Sequence, residues 1–230
     1  AGTIFMRLAI GPLADRYGPR WAQSSLLVIF SIPVFLVGTC RSYATFVICR
    51  FFIGFLGATF VVTQYWTSIM YAKNVVGAAN ATSAGWGNLG GGVTNALMPQ
   101  FVALCQVGGL DYDPAWRIAM VIPAAVTMLW GFLLFFFSDD CPDGNYRFLI
   151  KSGQKTASNP WVAFGKASIN VRSWILHATY ATCFGVELIM NANLATYFQE
   201  AFGLDSGIAG LIAGLFGLMN LFARSLGGIA

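Results

Sequence analysis

Residues 117–138 read RIAMVIPAAVTMLWGFLLFFFS, and no charged side chain stands between Arg117 and Asp139. About 20 consecutive apolar residues is the length at which a helix crosses the hydrocarbon layer of a bilayer. Working outward, six more stretches of this kind are predicted to span: a partial one at roughly 1–13, then roughly 22–40, 44–70, 76–105, 173–200 and 207–230. The composition agrees. The 230 residues are 57% hydrophobic and only 10% charged, with a mean hydropathy of +0.67. A soluble domain carries about 25% charged residues, and a chain this poor in charge exposes too much apolar surface to stay dispersed in water. The 26 glycines fit helices that approach closely inside a membrane. The expected fold class is all-α, a polytopic membrane bundle with about seven transmembrane helices. Apolar sequence runs to both ends of the chain, so further helices are expected before and after it.

Several function classes fall away. The net charge of +4 is not gathered into a basic, aromatic-interleaved run, so nucleic acid is not an expected partner. Cys40, Cys49, Cys105, Cys141 and Cys183 show neither metal spacing nor a CxxC pair, which reads as free thiols and no metal site. Residues 85–90 spell G-x-G-x-x-G, but a dinucleotide site needs a preceding strand and a βαβ unit. No nucleophile–base pair is apparent, so neither an enzyme nor a cofactor is expected.

The polar stretch 139–172 divides the chain into an N-terminal bundle (1–138), a central loop (139–172) and the start of a second bundle (173–230). Arg16, Arg20, Lys73, Arg147, Lys151, Lys155, Lys166 and Arg172 fall in one set of alternating connections, against Arg41 and Arg117 in the other. Lysine and arginine mark the cytoplasmic side, so the central loop is expected there.

Two intramembrane arginines carry the functional reading. Arg7 precedes Gly11 by four residues and Arg224 precedes Gly228 by four. A polar residue, Thr3 or Asn220, stands one turn before each. Matching positions in two segments suggest parallel repeats with a substrate site between them. An arginine at the centre of a spanning helix costs ~2.5–3.5 kcal/mol on insertion scales, and no carboxylate accompanies either at helical spacing. The missing counter-charge points to a cargo anion, and guanidinium's planar paired donors suit a planar oxyanion. In the fourth span Gly85, Asn88, Gly92 and Asn95 share one helical stripe. Gly85, Gly87 and Gly92 are expected to serve packing and gating. Glu187 is one of few acids in an apolar run and a candidate proton carrier; a salt bridge to Arg50 or to a helix outside the chain is the alternative. Arg50 is expected to be structural or gating.

The stretch Gly11–Arg20, GPLADRYGPR, resembles the G-x-x-x-D-R-x-G-x-R loop motif of the major facilitator superfamily. The resemblance implies a gating role for Asp15, with Arg16 and Arg20 beside it. Ala84–Gly92 and Asn220–Gly228 resemble signature stretches of the nitrate/nitrite porter family within that superfamily, and Gly185–Leu188 resembles its eukaryotic branch. It implies the second to eighth of twelve helices, nitrate bound by Arg7 and Arg224 with Asn88 beside them, and Phe60 and Tyr180 flanking the anion. The expected function is alternating-access import of nitrate, and of nitrite, across the plasma membrane by a multi-pass protein, driven by protons. Nitrate/nitrite antiport and a nitrate sensor are the alternatives. Expected partners are nitrate or nitrite, protons and the lipid bilayer; an accessory membrane subunit is a further candidate.

Overall fold

The computed structural model describes residues 2–153 and 160–229; Lys155, counted above toward the cytoplasmic charge, lies outside them. The helices are α1 (Gly2–Tyr17), α2 (Pro19–Val37), α3 (Tyr43–Ile53), α4 (Thr59–Met70), α5 (Val76–Val107), α6 (Tyr112–Ala119), α7 (Val121–Phe137), α8 (Tyr146–Lys151), α9 (Pro160–Ile169), α10 (Val171–Phe202) and α11 (Ser206–Ile229). The fold is all-α, a helical bundle of the membrane type. Pro19–Val37, Tyr43–Met70, Tyr112–Phe137 and Ser206–Gly228 are long and apolar enough to cross a membrane. Of the other predicted spans, α1 has 16 residues and α5 and α10 have 32 each. Helix α1 is shorter than a full span, and α5 and α10 carry polar side chains along their length, among them Asn88 and Glu187. No residue of α3 or α10 is buried, and large apolar side chains such as Phe46, Trp130, Trp174 and Phe222 lie exposed.

Two expectations are corrected. The span 44–70 is not one α-helix: Gly54–Ala58 forms a 3-10 turn between α3 and α4, where two glycines in GFLGA weaken the α-helical preference. The stretch Gly11–Arg20 is not a loop. It continues α1 to Tyr17 and resumes as α2 at Pro19, with Gly18 alone as the elbow. Gly18 has φ 97°, a left-handed conformation open to glycine, and Pro19 starts the next helix with its φ already set. The buried Asp140 carboxylate packs against Gly18. It accepts the backbone N–H of Arg20 (3.0 Å) and of Tyr146 (2.9 Å), tying the end of α7 and the start of α8 to the elbow.

Helix α11 lies antiparallel along α5. Gly228 meets Gly77 at one end, Gly92 meets Gly214 and Gly217 midway, and Gly207 meets Gln100 at the other. A Cβ added at Gly92 would come 2.6 Å from the Gly214 carbonyl and 2.8 Å from Gly217 Cα, so the two backbones are at their limit of approach. Gly85 packs in the same way on the backbone of Asn220 and Leu221. This contact sets Asn88, one turn on, beside α10 and α11.

Candidate functional site

Thr3 and Arg7, one turn apart on α1, both read the 3-10 turn. Thr3 Oγ1 donates to the Gly54 carbonyl (2.6 Å) and Arg7 Nε to the Gly57 carbonyl (3.2 Å). A 3-10 turn has poorer internal hydrogen bonds than an α-helix, and here its carbonyls take side-chain donors from a neighbour. The Arg7 guanidinium carbon lies 5.8 Å from the centre of the Phe60 ring and 5.6 Å from that of Phe184, within the range of cation–π attraction. Phe60 and Phe184 stack at 6.4 Å, and Tyr180 stacks on Phe184 at 5.3 Å. One cavity of about 360 Å³ opens here, with Arg7, Phe60, Thr63, Ser83, Asn88 and Phe184 among its lining residues.

Arg224 joins this cavity through a hydrogen-bonded chain rather than as part of its wall. Its Nη2 lies 2.6 Å from Glu187 Oε2. The other Glu187 oxygen accepts from Asn88 Nδ2 at 2.7 Å, and Asn88 lines the cavity. Arg224 Nε also donates to Asn220 Oδ1 (3.4 Å), one turn back on α11. Thr3, the counterpart of Asn220 in the sequence repeat, turns instead to Gly54. The side chains of Arg224 and Glu187 are 21% and 11% exposed, so the pair is largely withdrawn from solvent. Tyr180 stacks on the lining residue Phe184 rather than forming the cavity wall itself.

The pairing of Glu187 corrects the sequence reading. Its partner is Arg224, not Arg50, which is exposed on α3. Arg224 therefore does have a carboxylate beside it, supplied by another helix. Asp15, Arg16 and Arg20 lie away from the cavity. Asp15 accepts the Tyr65 hydroxyl (3.0 Å) and Tyr65 shares a hydrogen bond with the Tyr146 hydroxyl (2.8 Å). Arg20 Nη1 donates to the Ser138 carbonyl (3.2 Å) and its guanidinium covers Phe135. The Arg16 guanidinium lies over the Tyr17 ring. Gly85 and Gly92 face α11, whereas Gly87 opens onto the cavity.

Phe184 was not foreseen. The signal was present, because Tyr180, Phe184, Glu187 and Asn191 follow one another at spacings of four, three and four, a single stripe of α10. Asn191 completes it by accepting Asn95 Nδ2 on its carbonyl (3.1 Å).

An all-helical membrane bundle with one guanidinium and stacked aromatic rings on a cavity, and a second guanidinium tied to it through a carboxylate, is the class that this fold and site define. The sequence profile of the Major Facilitator Superfamily matches residues 1–230, and the chain belongs to that family. The high affinity nitrate transporter 2.5 of Arabidopsis thaliana is 41% identical over 100% of this chain and 46% of its own length. Nitrate transporter 2.2 of Chlamydomonas reinhardtii is 37% identical over 99% of this chain and 45% of its own. The probable nitrate/nitrite antiporter NarK1 of Thermus thermophilus is 32% identical, with 96% and 48% covered. The chain spans about half the length of these relatives. No solved structure matches it at a significant level.

Proposed function

We propose that this chain forms the anion-binding part of a secondary transporter that imports nitrate, with nitrite as a second substrate, by alternating access. The observation that carries the reading is that Arg7 lines an aromatic cavity to which Arg224, from the other end of the sequence, is linked through Glu187 and Asn88. Two guanidiniums against one carboxylate leave a net positive site, and planar paired donors match a planar oxyanion. Asn88 adds an amide donor, and Phe60 and Tyr180 belong to the ring stack beside it. The similarity to plant and algal nitrate transporters supports the same substrate.

Nitrate entering a cell that is negative inside works against about 2.3 kcal/mol per charge per 100 mV, so protons are the proposed driving ions and the plasma membrane the proposed location. Glu187 is the proposed proton carrier, and the Asp15–Arg20 elbow the proposed gate at the cytoplasmic end. The test is uptake of labelled nitrate by cells expressing the full-length protein. Arg7→Lys and Arg224→Lys are each expected to cut uptake at least about tenfold, since lysine is a point charge without the planar fork. Wild-type uptake in either variant contradicts the assignment. Nitrate/nitrite exchange is the second reading, favoured by the similarity to the Thermus protein; liposomes with and without internal nitrite separate the two.

A further inference from the structure

The Glu187 carboxylate stands where a bound anion is proposed to stand. One oxygen meets Arg224 Nη2 and the other meets Asn88 Nδ2, two of the donors assigned above to nitrate. A carboxylate and nitrate present the same contact chemistry: a flat, delocalised negative charge with paired acceptor oxygens. The chain thus carries a ligand mimic of its own, tethered to α10. We infer that Glu187 is a built-in competitor for the anion. Ionised, it occupies Arg224 and Asn88 in the empty site, and a planar oxyanion takes those donors only when the carboxylate accepts a proton and lets go. This inference rests on the nitrate reading and deepens it.

The surroundings limit the alternatives. Arg224 faces Glu187 from α11, Arg7 lines the adjoining cavity from α1, and Tyr180 shares the stripe of α10 that holds Glu187. Helix α5 contributes Asn88, and α4 contributes Phe60 and Thr63 to the cavity; none of these three titrates. An ionised Glu187 and a bound anion on one guanidinium would set two negative charges side by side in a largely desolvated place, which neutralisation of the carboxylate relieves. The proton goes to a Glu187 oxygen, and the guanidinium passes from carboxylate to substrate, so charge balance at Arg224 is kept throughout.

The empty carrier follows the same logic. With Glu187 ionised, Arg224 is paired, and Arg7 rests on the Gly57 carbonyl and two ring faces. Breaking a buried pair by removing one partner leaves an uncompensated charge that is costly to enclose. The carboxylate therefore lets the empty cavity close and turn over, which suits net import. Without it, only a bound anion neutralises Arg224, which suits obligate exchange.

The experiment is calorimetric nitrate binding to the purified full-length protein at a series of pH values, beside Glu187→Gln, which keeps an acceptor for Asn88. If one proton is taken up with each anion, wild-type affinity falls about tenfold per pH unit through the titration range. The variant is expected to bind at least about tenfold tighter at the alkaline end and to change less than about twofold across the series. In liposomes it is expected to keep nitrate exchange and lose net uptake driven by a pH gradient. Wild-type binding that weakens with pH no more than the variant's overturns the competitor role and leaves the anion site standing. Wild-type protein that does not bind nitrate at any pH overturns the anion site itself. Should Glu187→Gln fail to fold, Glu187→Asp serves, because its shorter reach loosens the contact with Arg224. It is expected to bind nitrate tighter than wild type at alkaline pH, and equal affinity at every pH overturns the inference.

Discussion

Arg7 and Arg224 look equivalent in the sequence, yet they are held differently. Arg7 is fixed by a backbone carbonyl and two ring faces, none of which is charged. Arg224 is fixed by a carboxylate. Anion contact at Arg7 leaves its present partners intact, whereas contact at Arg224 must displace one. Arg224→Ala should therefore do more than remove a ligand, because it leaves the Glu187 carboxylate, 11% exposed, without its guanidinium partner. Loss of about 3–5 kcal/mol is the usual size of that effect, against a smaller loss for the double variant Arg224→Ala/Glu187→Ala. Thermal unfolding of the detergent-solubilised proteins checks this, and equal stability of the single and double variants contradicts it. The arginines and Asn88 were legible because polar groups in apolar runs stand out. The Arg224–Glu187 pair was not, since it joins residues 37 apart on separate helices and no local pattern encodes which helices become neighbours.

Among the elements, the antiparallel pair α5 and α11 shows how glycine spacing fixes geometry. Gly92 is wedged against the backbone of α11, whereas a Cβ at Gly87 meets nothing within 4 Å. Gly92→Ala should force the helices apart and destabilise by about 1–3 kcal/mol, as overpacking does. Gly87→Ala should not destabilise, since alanine is the better helix former. Unfolding of the two variants side by side tests this, and the opposite order contradicts it. The stripe through Gly85 and Gly92 was visible as a pattern, and only the structure assigns its face to α11. The elbow at Gly18 was visible too, as a motif. Its anchor, Asp140, comes from a segment 122 residues later in the numbering of the chain and looked like an ordinary polar linker residue. Asp140→Ala removes the acceptor of two backbone N–H groups. It should cost about 1–3 kcal/mol, read as a lower unfolding temperature.

For the whole molecule, the membrane is the solvent that made the fold readable. It demands long apolar helices and leaves few other choices, so the spans emerged from hydropathy alone. The exceptions are α1, which is 16 residues long, and α5 and α10, which carry Asn88 and Glu187. The 3-10 turn at Gly54–Ala58 stayed hidden because its apolar residues continue the pattern of α3 and α4 without a break. The distribution of lysine and arginine sets one more whole-molecule expectation. A cysteine placed at Asp111 should react with a membrane-impermeant maleimide on intact cells, and one at Lys73 only after permeabilisation; the reverse would invert the bundle. The central claim is that two guanidiniums, brought together from the two ends of the chain, bind one planar anion. Equilibrium binding of isotopically labelled nitrate to the purified full-length protein addresses it most directly. The account predicts saturable binding that is displaced by nitrite and chlorate and abolished by either Arg7→Lys or Arg224→Lys, while undiminished binding in both variants would contradict it.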